Sequence, residues 1–279
     1  MRQETTKEVK RMTLTISVAF KPLRYSAVFL ATLCVLFGQP IDVSGELVAR
    51  WEFNEGKGNT VKDSSGKGHD GTFAGGDPQW VPGVAGTALA FDGDDYVAID
   101  AWITETGAAD FTITAWIKTT KTGVSFLTKN DGDRVLHFHE KLFYVGDAAT
   151  SEGGKTGAVE WVGHSCDWIR GDTDVSDGKW HHVAVTWEFK ALEGHIYVNG
   201  REGVHHMGYN GGADIKGNTW QIGFTSGWPG GVDYEGAVDD IRIYDSTLTA
   251  DEIEEAMVEG LAVDPTGLLA VSWAEIKMQ

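Results

Sequence analysis

The chain has 279 residues, with 23 Lys+Arg against 41 Asp+Glu and a formal net charge of −18. That carboxylate excess repels phosphate at long range and excludes bulk electrostatic capture of nucleic acid or of an anionic membrane. Gly, at 36 residues, is about twice its usual ~7% share, while Pro is only 6 and Trp is 11, a composition that indicates many short strands joined by tight turns rather than disorder.

Residues Tyr25 to Phe37 are nearly all apolar, and Lys7, Lys10, Arg11, Lys21 and Arg24 precede them. Thirteen residues are too few to span a bilayer comfortably and suit the apolar region of a signal peptide. Val43-Ser44-Gly45 supplies small residues for cleavage, so residues 1–45 are read as a signal peptide, with an uncleaved N-terminal anchor as the alternative. An anchor of that kind is the only membrane attachment the sequence suggests. Removing residues 1–45 takes six basic and three acidic groups with it, leaving 17 Lys+Arg against 38 Asp+Glu, a net −21. Cys34 goes too, so Cys166 is left without an intrachain disulfide partner.

Period-2 alternation then recurs along the chain. It predicts strands over Leu47–Phe53, Tyr96–Ile99, Phe111–Ile117, Lys141–Val145, Trp180–Trp187, Gly194–Val198, Trp220–Gly223 and Val238–Tyr244. Asn199-Gly200 reads as a hairpin turn. One short helix is predicted over 249–257: Thr249 is placed as N-cap, Glu252 sits three residues on, and Gly260 can stop it. No helical runs alternate with the strands, which excludes a parallel α/β fold. The expected fold is all-β, a two-sheet antiparallel jelly-roll sandwich with one short C-terminal helix, over residues 46–258, followed by a tail at 259–279.

Five segments together resemble the LamG-like jelly-roll family of the concanavalin A-like lectin/glucanase superfamily. They are Trp51-Glu52-Phe53-Asn54-Glu55-Gly56 with Asp63 to Gly71; Gly86 to Gly93 running into Tyr96-Val97; Phe111 to Ile117; Asp177-Gly178-Lys179-Trp180-His181-His182-Val183-Ala184 with Tyr197 to Gly200; and Gly236 to Tyr244 with Leu248-Thr249. The resemblance covers about residues 46–258 in family order. It implies an extracytoplasmic, secreted or periplasmic recognition module for glycans or surface proteins, often with a structural Ca²⁺. It does not by itself fix the ligand.

Calcium needs six to eight oxygen ligands. Asn54, Asp63 with the carbonyls of its glycine-rich turn at Gly68, Asp92 and Asp239 are the expected ligands, because the resemblance implies that the first and last strands pair and bring Asn54 and Asp63 toward Asp239. The competing reading is that such carboxylates cap their own turns. For glycan binding, aromatic faces must be exposed beside polar groups. Trp51, Trp116, Trp180 and Trp187 fall in strand patterns and are read as core. Trp161, Trp168 and Trp228 fall in or beside loops, with Asp167, Arg170 and Tyr209 available, and these six form the expected ligand site.

A catalytic role is not expected. The superfamily contains glucanases, which use two carboxylates about 5–5.5 Å apart in retaining members, and no Glu-x-Asp-x-x-Glu pattern occurs here. His137-x-His139 has no third zinc ligand, and Cys166 near His164 has no placed third group. Of His181 and His182, one is expected to face inward and the other outward. The favoured function is glycan binding, with protein or cell-surface adhesion as the alternative and glycoside hydrolysis behind both.

Overall fold

In a computed structural model, the described residues are 45–130, 141–147, 155–163, 168–207, 214, 217, 219–224 and 233–259. The expected signal segment and the tail beyond residue 259 lie outside them. In chain order the strands are β1 (Leu47–Trp51), β2 (Thr60–Val61), β3 (Gly71–Ala74), β4 (Gln79–Pro82), β5 (Thr87–Asp92), β6 (Tyr96–Ile99), β7 (Phe111–Lys118) and β8 (Val124–Asn130). There follow β9 (Lys141–Val145), β10 (Ala158–Gly163), β11 (Ile169–Asp174), β12 (His181–Glu188), β13 (Glu193–Val198), β14 (Arg201–Met207), β15 (Thr219–Ile222) and β16 (Glu235–Tyr244), then helix α1 (Ala250–Glu259).

The strands form two antiparallel sheets. One runs β14-β13-β12-β7-β16-β5-β4, with β1 also on β16; the other runs β11-β10-β9-β8-β15-β6-β3-β2. Inward residues alternate as the sequence pattern requires: Phe111, Ile113, Ala115 and Ile117 on β7, and Val183, Val185 and Trp187 on β12, join one core with Trp161, Trp220, Phe126 and Phe143 of the opposite sheet. The fold is the all-β two-sheet jelly roll with one short C-terminal helix.

The long strand β16 takes two partners along one edge. β5 pairs with Glu235–Val238 and β1 pairs with Ile241–Tyr244. At the handover the register against β7 shifts between Asp239 and Arg242, and Asp240 adopts φ +41°. This bulge switches which residues point inward: Val238 is core, then Ile241 and Ile243. It leaves Asp239, Asp240 and Arg242 on the outer face, yet all three are buried.

The cover on that outer face includes α1. Its capping box forms as expected: Glu252 N–H donates to Thr249 Oγ1 at 3.3 Å, and Thr249 N–H donates to Glu252 Oε2 at 2.7 Å. Ile253 packs with Ala184, Tyr197, Tyr244 and Leu248, and Met257 with Val84 and Trp116. Hence the expectation for the paired histidines is half wrong. His181 takes the inward register, bonding Asp177 Oδ1 at 3.0 Å and the Asn199 amide at 3.1 Å. His182 takes the outer register but is buried edge-on to Trp116, and burial pushes its pKa down to about 3. The Asn199-Gly200 hairpin is as predicted, with φ +52° and +74° between the Val198–Arg201 pair.

Candidate functional site

Of the six residues expected to form a glycan site, Trp161, Trp168 and Arg170 fall among the described residues, and they divide: Trp168 and Arg170 meet, and Trp161 lies apart from them. Trp161 pairs with Phe143 across β10 and β9, which turns its ring into the sandwich against Phe111 and Phe143. It is 0% exposed and presents no face to a ligand. Trp168 lies on the opposite, outer face of the same sheet, packed on Leu142, Tyr144 and Val162. The Arg170 guanidinium sits 4.9 Å from its ring centroid. Asp167, Tyr209 and Trp228 lie outside the described residues, as do His137, His139, His164 and Cys166.

The expected calcium ligands separate into three local jobs. Asp63 holds its own turn: Oδ1 accepts Arg50 N–H at 3.0 Å and Ser65 N–H at 2.9 Å, and Oδ2 accepts His69 N–H at 2.8 Å. Burial pushes the Asp63 carboxyl up, but these bonds outweigh it and hold the pKa below the usual value. Gly68, at φ +85°, shapes the same turn. Asn54 and Asp239 clasp the two ends of the 83–87 turn. Asn54 Oδ1 accepts Thr87 N–H at 3.2 Å, and Asp239 Oδ2 accepts Val84 N–H at 2.8 Å and Ala85 N–H at 3.4 Å.

Asp92 behaves differently. Its turn, Asp92-Gly93-Asp94-Asp95, folds back at Gly93, which takes φ +104°. The fold-back brings carboxylate oxygens of Asp92, Asp94 and Asp95 within 4.8 Å of one another. Asp95 is buried, and its carboxyl is pushed up by burial and by the charges of Asp92 and Asp94, against a bond from Asp92 N–H at 3.2 Å. Three hard oxygen donors crowded in this way can coordinate a cation. The acidic turn was visible in the sequence; that Asp94 and Asp95, rather than Asp63 and Asp239, join Asp92 was not.

Beside this turn lies a groove of about 630 Å³ on the outer face of the β4-β5-β16-β7 region, within the usual range for small-ligand sites. Its floor follows one cross-strand rung. Gln79 pairs with Ala90, Ala90 with Ala237, and Ala237 with Lys118. On the next rung Asp92 pairs with Glu235, and both line the groove. Lys121 Nζ reaches Glu235 Oε2 at 2.8 Å. Val81 and Pro82 on β4 and Trp180, just before β12 and beside Lys118 of β7, line its opposite flanks.

Trp180 was read from sequence as core because it opens a strong strand pattern. In fact β12 begins one residue later, and Trp180 is half-buried, its body packed beside Val84, Trp116 and Met257. Alternation from the inward Val183, Val185 and Trp187 sets Trp180 in the outer register with His182, a signal the core assignment overlooked. The arrangement offers an aromatic wall, a shallow apolar floor and a polar rim carrying donors and acceptors.

Comparison with known proteins gives a family and a fold. A family profile described as the concanavalin A-like lectin/glucanases superfamily matches residues 91–254. No curated protein sequence matches the chain. Among solved structures, domain 4 of AbnA, an extracellular GH43 arabinanase from Geobacillus stearothermophilus solved with arabinotriose, is 18% identical with a TM-score of 0.61, covering 76% of this chain and 98% of that one. The binding domain of Paraclostridial Mosquitocidal Protein 1 is 14% identical with a TM-score of 0.55, covering 75% of this chain and 51% of that one. The botulinum neurotoxin serotype D ligand binding domain, solved with N-acetylneuraminic acid, is 14% identical with a TM-score of 0.51, covering 78% and 52%. The chain therefore spans about half the length of these two toxin domains, and at such identities the likeness is one of fold.

Proposed function

For a chain that belongs to the concanavalin A-like lectin/glucanase superfamily, we propose the role of a non-catalytic, extracytoplasmic glycan-binding module. Its sugar site is the groove beside Trp180, and its Asp92-Asp94-Asp95 turn holds a structural Ca²⁺. The groove is the observation that carries this reading. A sugar ring presents C–H bonds on one face and hydroxyls around its edge, and here an indole lines the same groove as two carboxylates and two ammonium groups. Two of the fold relatives were solved with saccharides, arabinotriose and N-acetylneuraminic acid, and this supports saccharide recognition on such a scaffold.

The N-terminal basic-then-apolar segment supports export. Among the described residues, no helix is long and apolar enough to cross a membrane. Ca²⁺ rather than a softer metal suits the aspartates, because the donors are all carboxylate oxygens; turn carbonyls and water would complete the shell. Burial, and after it the charges of Asp92 and Asp94, push Asp95 up, and such an ion would offset the part due to those charges. A glycan-array screen of the purified protein, with calcium and with chelator, tests the reading. Binding to a narrow glycan class, lost in Trp180→Ala, is the expected result. No glycan binding in either condition would sink it and turn the search to protein partners on a cell surface.

A further inference from the structure

We infer that the groove selects uncharged oligosaccharides, and that the alanine pair Ala90–Ala237 is the feature that admits them. This rests on the glycan-binding reading above and goes further by naming the class of sugar. The charge around the groove can be followed group by group. Its lining holds two ammonium groups, Lys118 and Lys121, and two carboxylates, Asp92 and Glu235. Lys121 is taken up by Glu235. Lys118, exposed at the end of β7, has no ion-pair partner among the described residues. The carboxylates of Asp94, exposed, and Asp95, buried, do not line the groove but lie within 4.8 Å of that of Asp92 and add their charge to its side. Four carboxylates thus stand against two ammonium groups, and a dication bound to the aspartates would bring the sum only to neutrality. In neither state is the groove net positive, so a uronate, sialate or sulfate that sheds water to reach Lys118 meets that one ammonium in a field the carboxylates at least cancel. The chain's overall charge of −18 opposes such a ligand before it arrives. A neutral ring meets no such penalty, since its hydroxyls donate to Asp92 and Glu235 and accept from Lys118.

The floor argues for the shape of the ligand. Ala90 and Ala237 are paired side by side on adjacent strands and share their rung with the long side chains of Gln79 and Lys118. The trough between those side chains is therefore one methyl deep. A chain of sugar rings lying across the strands has room along this rung, and a leucine at either alanine would fill part of that space.

Calorimetric titration of the intact protein with neutral arabino-, xylo- and gluco-oligosaccharides and with oligogalacturonates of matched length tests both halves. At least one neutral series should bind, and the acidic series should bind at least tenfold more weakly. Ala237→Leu should weaken neutral binding by tenfold or more with an unchanged melting temperature. Ala90→Leu, at the more exposed of the two positions, should do the same and serves if the first variant is unstable. Acidic oligomers binding as well as neutral ones would overturn the inference and leave the glycan reading standing. So would neutral binding that survives both leucine variants. No saccharide binding of either kind would overturn the inference and the underlying reading together.

Discussion

Asp240→Asn is the perturbation with the largest expected consequence for stability. Asp240 is buried on the outer face of β16 and accepts four guanidinium bonds. Arg242 donates through Nε at 3.1 Å and Nη2 at 2.7 Å, and Arg50 through Nε at 2.9 Å and Nη2 at 3.3 Å. Arg242 is only 2% exposed and extends a further bond to Glu259 Oε2 at 2.6 Å, at the end of α1. Burial pushes the Asp240 carboxyl up, yet the two arginines more than reverse this and hold its pKa below the ordinary value. Asn keeps the shape and tolerates the +41° φ of the bulge, so the substitution removes the charge and little else.

Breaking a buried pair by neutralising one partner costs about 3–5 kcal/mol, and here Arg242 and Arg50 lose their buried counter-charge and keep only the solvent-screened carboxylates of Glu259 and Glu52. For a domain of this size each kcal/mol moves the melting temperature by about 2–4 °C, so the variant should melt roughly 6–20 °C lower. Thermal unfolding followed by near-UV circular dichroism, with urea unfolding alongside, measures it. The pH dependence gives a second handle. A folded-state pKa depressed below the unfolded value contributes stability above the unfolded pKa, and that stability is lost as pH falls through the folded pKa. The wild type should therefore lose more stability than Asp240→Asn on acidification below about pH 4. A loss under 1 kcal/mol at neutral pH, or parallel acid limbs for the two proteins, would refute the argument that this carboxylate anchors the two arginines as an ion.

Two further outcomes follow from local geometry. Calcium at 100 times its dissociation constant should stabilise the wild type by about 2.7 kcal/mol, and Asp95→Asn should abolish that gain; identical melting curves in calcium and chelator would remove the cation from the aspartate turn. Thr249→Ala should cost about 1 kcal/mol through loss of the N-cap, and Thr249→Ser should recover most of it; no change in urea midpoint would mean that packing of Ile253 and Met257 alone sets the helix start.

Much of the fold was legible because its causes are local. Alternation on β7, β9 and β12 depends only on the two-residue repeat of a strand facing one core, and the structure reproduces it almost to the residue. The capping box of α1 spans four residues, and the Asn199-Gly200 turn needs only residues that accept positive φ. The acidic turn at Asp92 to Asp95 was equally visible, since its carboxylates converge within four consecutive positions.

What the sequence could not carry were facts about faces and neighbours. Trp161 is core because the register against β9 sets it opposite Phe143, and register is a relation between strands. Asp239 and Asp63 are spent on backbone amides rather than gathered with Asp92, because the turns they hold lie elsewhere on the sandwich. His182 is buried because α1 and its neighbours cover a sheet face that alternation assigns to solvent. Trp180 lines a groove because it sits on the outer face of the sheet, where the paired alanines of β5 and β16 leave room. Composition and period thus determined that this chain folds as a jelly roll. Only the pairing of distant strands decided which tryptophan lines the groove, because exposure depends on what the rest of the chain lays over each face.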